Sequence, residues 1–246
     1  MLRPLAATAD ALVERLASAP DETGLFLDFD GVLAPIVARP EDASAPPETR
    51  AELRRLAGRY RLVCVVSGRP GDDVRARVGV DGVVYVGSHG LELDPEAEAW
   101  RRRIHAFAGD ASWPAEQIED KGLSVAFHYR DREDEDAAVA ELGEIAARAR
   151  AEGFLARFGR KVLEVLPPLD TNKGTAVRQL LDSAGLTRAL VAGDDTTDLD
   201  AFRAVETLEL RVRVAVASAE APSLLREHAD IVVESTGEFL ELLRKL

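Results

Sequence analysis

Six short apolar runs, separated by helical patterns, constrain this chain more than any other feature. They are LFLDF (25–29), LVCVV (62–66), VVYVG (83–87), ALVAG (189–193), VRVAV (212–216) and DIVV (230–233). Each has the length of a strand, is rich in Val and Leu, and most lack in/out alternation. Strands covered on both faces have this character. Helical patterns with stop signals lie between them. Ala51, Leu53, Leu56 and Ala57 precede Gly58, and Val74 and Val78 precede Gly79. Ala176, Val177, Leu180, Leu181 and Ala184 precede Gly185, and a last stripe runs Phe239, Leu240, Leu242, Leu243. Glycine just past the final turn is a common helix ending. The alternation predicts an α/β fold with a doubly wound, mostly parallel, Rossmann-like sheet.

The middle of the chain breaks this rhythm. GLSVAFHYR, a helical stretch at 135–152 and FLARFGRKVLEVLPP follow one another. The helix would bury Val139, Leu142, Ala146 and Ala149, and Phe158-Gly159-Arg160 reads as a hairpin turn. A small α+β insert over 93–166 would interrupt a core made of 1–92 and 167–246, with Pro167-Pro168 marking the return.

With 31 basic and 44 acidic residues the 246-residue chain carries a net charge of −13. That balance argues against non-specific nucleic-acid binding and against docking on anionic membranes. No run approaches the roughly 18 apolar residues of a membrane span. The first twenty residues carry Asp10 and Glu14 within their apolar periodicity, so they read as an amphipathic helix rather than a signal peptide. The lone cysteine, Cys64, reads as a core strand residue. A cytoplasmic enzyme is the expectation.

Chemistry-bearing residues collect where the apolar runs end. In LFLDFDGVL, Asp28 and Asp30 are two residues apart and in extended backbone point to one side. The carboxyl end of a buried strand is where open α/β sheets place ligands. Two carboxylates there repel each other and are stabilised by a cation, and Gly31 permits a sharp turn beside them. Capping would account for one of these acids, not both. VVSGRP places Ser67 and Gly68 where a hydroxyl and backbone N–H groups can hold phosphate oxygens, although Ser-Gly is also a common turn. Lys173 opens a helix in LDTNKGTAV, where the dipole disfavours a cation unless an anion lies near; a solvated lysine is the plain alternative. LVAGDDTTDLDAF carries Asp194, Asp195 and Asp198, of which a helix N-cap explains one. With Asp28 and Asp30 these acids would make an oxygen-rich site suited to Mg²⁺, and no His/Cys cluster supports zinc.

In chain order, DxDG, SGR, NKG and GDDxxD resemble the motifs of the haloacid dehalogenase superfamily of phosphotransferases, across about 24–92 and 167–246. A closer resemblance includes the insert. LFLDFDGVLAPI, Pro40-Glu41, SGRP, GSHG (87–90), EDKGLSVAFHYR (119–130) and KVLEVLPP look like the trehalose-6-phosphate phosphatase family. Val32 departs from the pattern, which typically has Thr there; a lost hydroxyl would bear on rate rather than on reaction class.

This resemblance implies a Mg²⁺-dependent phosphatase of trehalose 6-phosphate that works through an aspartyl-phosphate. It implies Asp28 as nucleophile and Asp30 as general acid, then base. Mg²⁺ would be held by Asp28, the Asp30 backbone carbonyl and Asp194, with Asp195 and Asp198 in support. Ser67, Gly68 and Lys173 would hold the phosphoryl oxygens.

In LSVAFHYR, Leu123, Val125, Phe127 and Tyr129 share one parity, and Ser124, Ala126, His128 and Arg130 the other. Glu164 sits between Leu163 and Val165. An ordinary half-exposed sheet shows the same pattern. The resemblance assigns Glu119, Lys121, His128, Arg130 and Glu164 to sugar binding, on a cap whose closure excludes water. His89 either lines the cleft or bonds backbone in a turn, and Arg101–Arg103 reads as a solvated face, with phosphate binding as the other option.

Alternatives stay open: a phosphatase of sucrose 6-phosphate or a glycosylglycerate phosphate, a phosphomutase, or a non-catalytic phospho-acceptor module. Asp30 and the insert speak against the last. The expected partner is a small-molecule sugar phosphate, bound by a monomer that contacts neither nucleic acid nor membrane.

Overall fold

The structure, a computed structural model, describes residues 8–37, 39–159, 161–217 and 222–246. The chain divides into two compact units. One runs to Gly90 and resumes over Asn172–Leu246; the other is Leu91–Thr171, which extends past the Pro167-Pro168 pair.

The first unit opens with α1 (Ala9–Ala17), β1 (Thr23–Leu27), α2 (Pro47–Ala57), β2 (Leu62–Val66), α3 (Gly71–Val78) and β3 (Val84–Val86). The second contains α4 (Arg101–Gly109), β4 (Ile118–Asp120), β5 (Val125–His128), α5 (Glu135–Ala151), β6 (Leu155–Gly159) and β7 (Val162–Leu166). The first then resumes with α6 (Lys173–Ala184), β8 (Arg188–Gly193), α7 (Asp198–Ala204), β9 (Leu210–Val216), α8 (Ser223–His228), β10 (Ile231–Val233) and α9 (Thr236–Leu243).

Among the described residues, the first unit holds a six-stranded sheet in the order β10-β9-β8-β1-β2-β3, with every adjacent pair parallel. The six apolar runs are its strands. Leu25, Leu27, Val63, Val65, Leu190 and Val212 pack in one cluster with Val13, Leu16, Leu53, Leu56, Val74, Val78 and Phe239 from α1, α2, α3 and α9. The alternate positions Phe26, Cys64 and Val191 are also buried, so both faces are covered, as the missing alternation requires. Each such side chain contributes roughly 1.5–3 kcal/mol relative to exposure. Burial also pushes the Cys64 thiol well above its ordinary pKa. Gly79 and Gly185 end α3 and α6 in the left-handed region, at φ 61° and 65°. Gly58 ends α2 at φ −82°, which needs no glycine. No helix among the described residues is long and apolar enough to cross a membrane.

The second unit is a four-stranded antiparallel sheet, β4-β5-β7-β6, packed on α4 and α5. The sequence reading lacked both α4 and β4. It also misplaced two details. Val139 is 40% exposed; α5 buries Ala138, Leu142, Ile145, Ala146 and Ala149. Positions 138, 142, 145 and 149 follow the helical repeat, and Val139 lies about 100° away from Ala138. The hairpin turn falls after Gly159, which pairs with Val162, so Phe158 and Gly159 are strand residues and Arg160 lies outside the described residues. Arg101–Arg103 are all exposed on α4, as a solvated face would be, and Arg103 in addition stacks on Trp100 at 4.1 Å and donates to the Glu152 carbonyl at 2.6 Å.

Candidate active site

At the carboxyl end of the parallel sheet, the sequence places two carboxylates around one ammonium. Asp28 directly follows β1, and its N–H continues the ladder to the Ala192 carbonyl of β8 at 3.0 Å. Lys173 begins α6, whose N-cap Asn172 forms a reciprocal capping box with Thr175. Lys173 is 3% exposed, and its Nζ lies 3.0 Å from Asp28 Oδ1 and 2.7 Å from Asp198 Oδ1. The anion that a cation at a helix start calls for is therefore this carboxylate pair. Asp198 Oδ2 accepts the N–H groups of Asp194 and Asp195, both at 3.0 Å, which folds the strand-to-helix turn back on itself. Asp195 turns its own carboxylate to Thr196 N, at 2.6 Å, and so faces its own turn.

Carboxylate oxygens of Asp28, Asp194 and Asp198 all lie within 4.8 Å of one another. Gly31, at φ 75°, lets Asp194 approach; a Cβ there would collide with the Asp194 carboxylate. Burial raises the Asp28 carboxyl to about 7, with Lys173 opposing and Asp198 adding repulsion. Burial, then Asp28 and Asp198, push Asp194 up to about 8. Burial alone would lower Lys173, but Asp198 and Asp28 outweigh it and hold the ammonium above the usual lysine range. Ionised together, the three carboxylates would outweigh the one ammonium. An all-oxygen donor set of this kind fits a hard divalent cation. Asp198 is already engaged through both oxygens, so it is the least available of the three as a direct ligand.

Asp30 behaves differently. β1 ends at Leu27 and the chain turns through 28–31, so the expected shared side for Asp28 and Asp30 is not what orients them. The Asp30 carboxylate lies outside the cluster of three and accepts from Arg69 instead, Nε to Oδ2 at 2.7 Å and Nη2 to Oδ1 at 2.9 Å. Arg69 was missed by sequence reasoning, although its place directly after Ser67-Gly68 was a usable signal. Ser67 is buried at the end of β2, and its Oγ accepts from Arg69 N at 3.2 Å. The His89 imidazole packs on Gly68 so closely that a Cβ there would collide with it, while His89 N–H donates to the Ser67 carbonyl at 2.9 Å. Val32 is buried in the core.

In the second unit, one face of the antiparallel sheet carries charge. His128 Nε2 is 2.9 Å from Glu119 Oε2. Lys121 Nζ is 3.8 Å from Glu119 Oε2 and 3.4 Å from Glu164 Oε1. Register explains this, since Glu119 and Glu164 both pair with Ala126 of β5. Four of the five sugar-binding candidates thus come together. Arg130 is the exception: β5 ends at His128, so strand alternation no longer governs it, and it lies exposed in the following turn. Arg157, across from Glu164 on β6, joins the group unforeseen, donating to Glu164 Oε2 from Nε at 3.0 Å and Nη2 at 2.9 Å.

A family model described as Trehalose-phosphatase matches residues 26–114 and 111–230. The trehalose-phosphate phosphatase of Mycobacterium avium (strain 104) is 38% identical, covering 74% of this chain and 51% of its own length. That of Mycobacterium tuberculosis (strain ATCC 25618 / H37Rv) is 35% identical, covering 80% and 53%. The chain spans about half the length of these curated relatives. Among solved structures, a trehalose-6-phosphate phosphatase related protein has the same fold, with a TM-score of 0.74 and 24% identity over 90% of this chain and 95% of that one. The C-terminal domain of a C. albicans trehalose-6-phosphate phosphatase gives a TM-score of 0.72 with 20% identity, over 96% of each.

Proposed function

The chain belongs to the trehalose-phosphatase family, and from that premise we propose that it is a Mg²⁺-dependent phosphatase converting trehalose 6-phosphate to trehalose and inorganic phosphate. The observation that carries this reading is the buried Lys173 ammonium shared by Asp28 and Asp198, with Asp194 beside them.

Asp28 is the nucleophile. Its carboxylate oxygen bonds to phosphorus as the bond from phosphorus to the sugar oxygen breaks. Asp30 gives that oxygen a proton, so the sugar leaves neutral. Asp30 then takes a proton from water as the water oxygen attacks phosphorus, the bond to Asp28 breaks, and phosphate is released with both carboxyl groups restored. Lys173 holds Asp28 in place and, with Ser67 and the Gly68 N–H, offsets charge on the phosphoryl oxygens. Arg69 fixes the plane of Asp30. Asp28, Asp194 and the Asp30 carbonyl would hold Mg²⁺, which would supply positive charge that offsets repulsion between carboxylate and phosphate. Asp198 and the Asp195 N–H keep the turn that carries Asp194 in shape.

The inserted unit reads the sugar. Its row of Glu119, Lys121, His128 and Glu164 offers alternating donors and acceptors, which suits hydroxyl groups. The same reading makes the protein a cytoplasmic monomer acting on a small molecule.

The test is phosphate release from trehalose 6-phosphate, sucrose 6-phosphate, glucose 6-phosphate and a glycosylglycerate phosphate, each with Mg²⁺ and with chelator. Preference for trehalose 6-phosphate, lost on chelation, supports the proposal. Equal rates with chelator would remove the metal, and preference for another ester would move the substrate. Stoichiometric labelling without turnover would make the chain a phospho-acceptor.

A further inference from the structure

We propose that Arg157 is a positioning residue for sugar recognition, acting through Glu164. This rests on the sugar-reading role just assigned to the charged face. Glu164 lies on β7, next to edge strand β6. Its two oxygens are addressed by two different cations from opposite sides: Oε1 by Lys121 at 3.4 Å, Oε2 by the Nε and Nη2 of Arg157 at 3.0 and 2.9 Å. The guanidinium holds one oxygen through two N–H groups while Lys121 meets the other, and together they orient the plane of the carboxylate. The Glu164 side chain is 14% exposed and that of Arg157 47%, and the two N–H groups that Arg157 gives are charge-assisted hydrogen bonds.

The neighbouring contacts point the same way. The chain of contacts runs His128, Glu119, Lys121, Glu164, Arg157. Such a row presents oriented donors and acceptors side by side, which suits the hydroxyl groups of a sugar ring. Removing Arg157 takes away the two N–H groups that meet Glu164 Oε2, so the carboxylate can turn toward Lys121 and away from a sugar hydroxyl. A lysine at 157 would restore the charge but not the planar guanidinium that delivers two N–H groups to one oxygen.

The experiment is a double-mutant cycle on Arg157→Ala, Glu164→Ala and the pair, with Arg157→Lys alongside. Steady-state kinetics on the sugar phosphate the wild type prefers are compared with those on p-nitrophenyl phosphate, and folding is checked by thermal melts. R157A should raise KM for the sugar phosphate about tenfold with kcat within about twofold, a loss of sugar binding rather than of chemistry. KM for p-nitrophenyl phosphate should move less than about threefold. R157K should recover part of the loss, and the double variant should be no worse than E164A. A silent R157A beside an impaired E164A would overturn this assignment alone. Additive losses, or equal losses on both substrates with a lowered melting temperature, would reduce Arg157 to a structural residue. Silence of both single variants would remove the sugar-reading role of the face and this inference with it.

Discussion

Arg69 grips both oxygens of Asp30, at 2.7 and 2.9 Å. Its grip is itself anchored. Arg69 Nη1 reaches Asp73 at 3.3 Å, Asp73 accepts Arg77 Nε at 2.7 Å, and Arg77 donates to the Glu41 and Ala43 carbonyls at 2.8 Å. The Arg69 guanidinium also lies 5.5 Å from the Phe29 ring centroid. Two of these cations hold Asp73 below the ordinary carboxylate range against the effect of its burial.

If this clamp aims the general acid, Arg69→Met should cost sugar-phosphate turnover about 10–100-fold, the lower part of what a positioned acid supplies. The loss on p-nitrophenyl phosphate should be much smaller, because that leaving group departs without a proton. Paired kinetics on the two esters measure it, and matching losses would argue that Arg69 only supports the fold.

Asp28→Asn should lower phosphate release at least about a thousandfold, because no carboxylate oxygen is left to attack. The circular dichroism spectrum should stay that of the wild type, since the amide keeps the shape of the acid. Substantial turnover in a folded variant would reassign the nucleophile.

Lys173→Met leaves Asp28 and Asp198 facing each other without their shared cation. Removing one partner of a buried charge cluster costs about 3–5 kcal/mol. Urea denaturation with chelator should show a loss of that order, and Mg²⁺ should restore more stability to the variant than to the wild type. An unchanged midpoint would mean that the carboxylates take up protons at no cost.

A divalent cation held by these carboxylates would have to compete with protons. Asp28 and Asp194 are raised from 3.8 to about 7 and about 8, chiefly by burial. Between the unfolded and folded values the folded state binds more protons, so metal-free stability should fall as pH rises through that interval and then level off. Mg²⁺ binding must displace those protons, so it should tighten over the same range. Melting temperatures with and without Mg²⁺ should therefore diverge from about pH 6 to about pH 8.5. A gap that is constant with pH would place the metal elsewhere.

The parallel core was legible because its signal is local. Buried strands need unbroken apolar runs, and the carboxyl ends of those runs carried Asp28, Ser67 and Asp194 in plain view. Parity was legible wherever the reading had found a strand, which is why His128 and Glu164 share a face; Glu119 joins them through β4, which the sequence reading lacked. It failed two residues past the element, at Arg130, because alternation binds side-chain direction only while the backbone stays extended. Val139 failed similarly, by a rotation of one residue about the axis of α5.

Residue types and their order determined by themselves that this chain builds a doubly wound sheet with carboxylates at the ends of its strands. Only the tertiary structure decided which charges meet. Lys173 finds Asp28 and Asp198, Arg69 takes Asp30 away from the carboxylate cluster, and Arg157 reaches Glu164. Periodicity reports which way a side chain faces within its own element, whereas a hydrogen bond between elements depends on register and on how the chain turns between them.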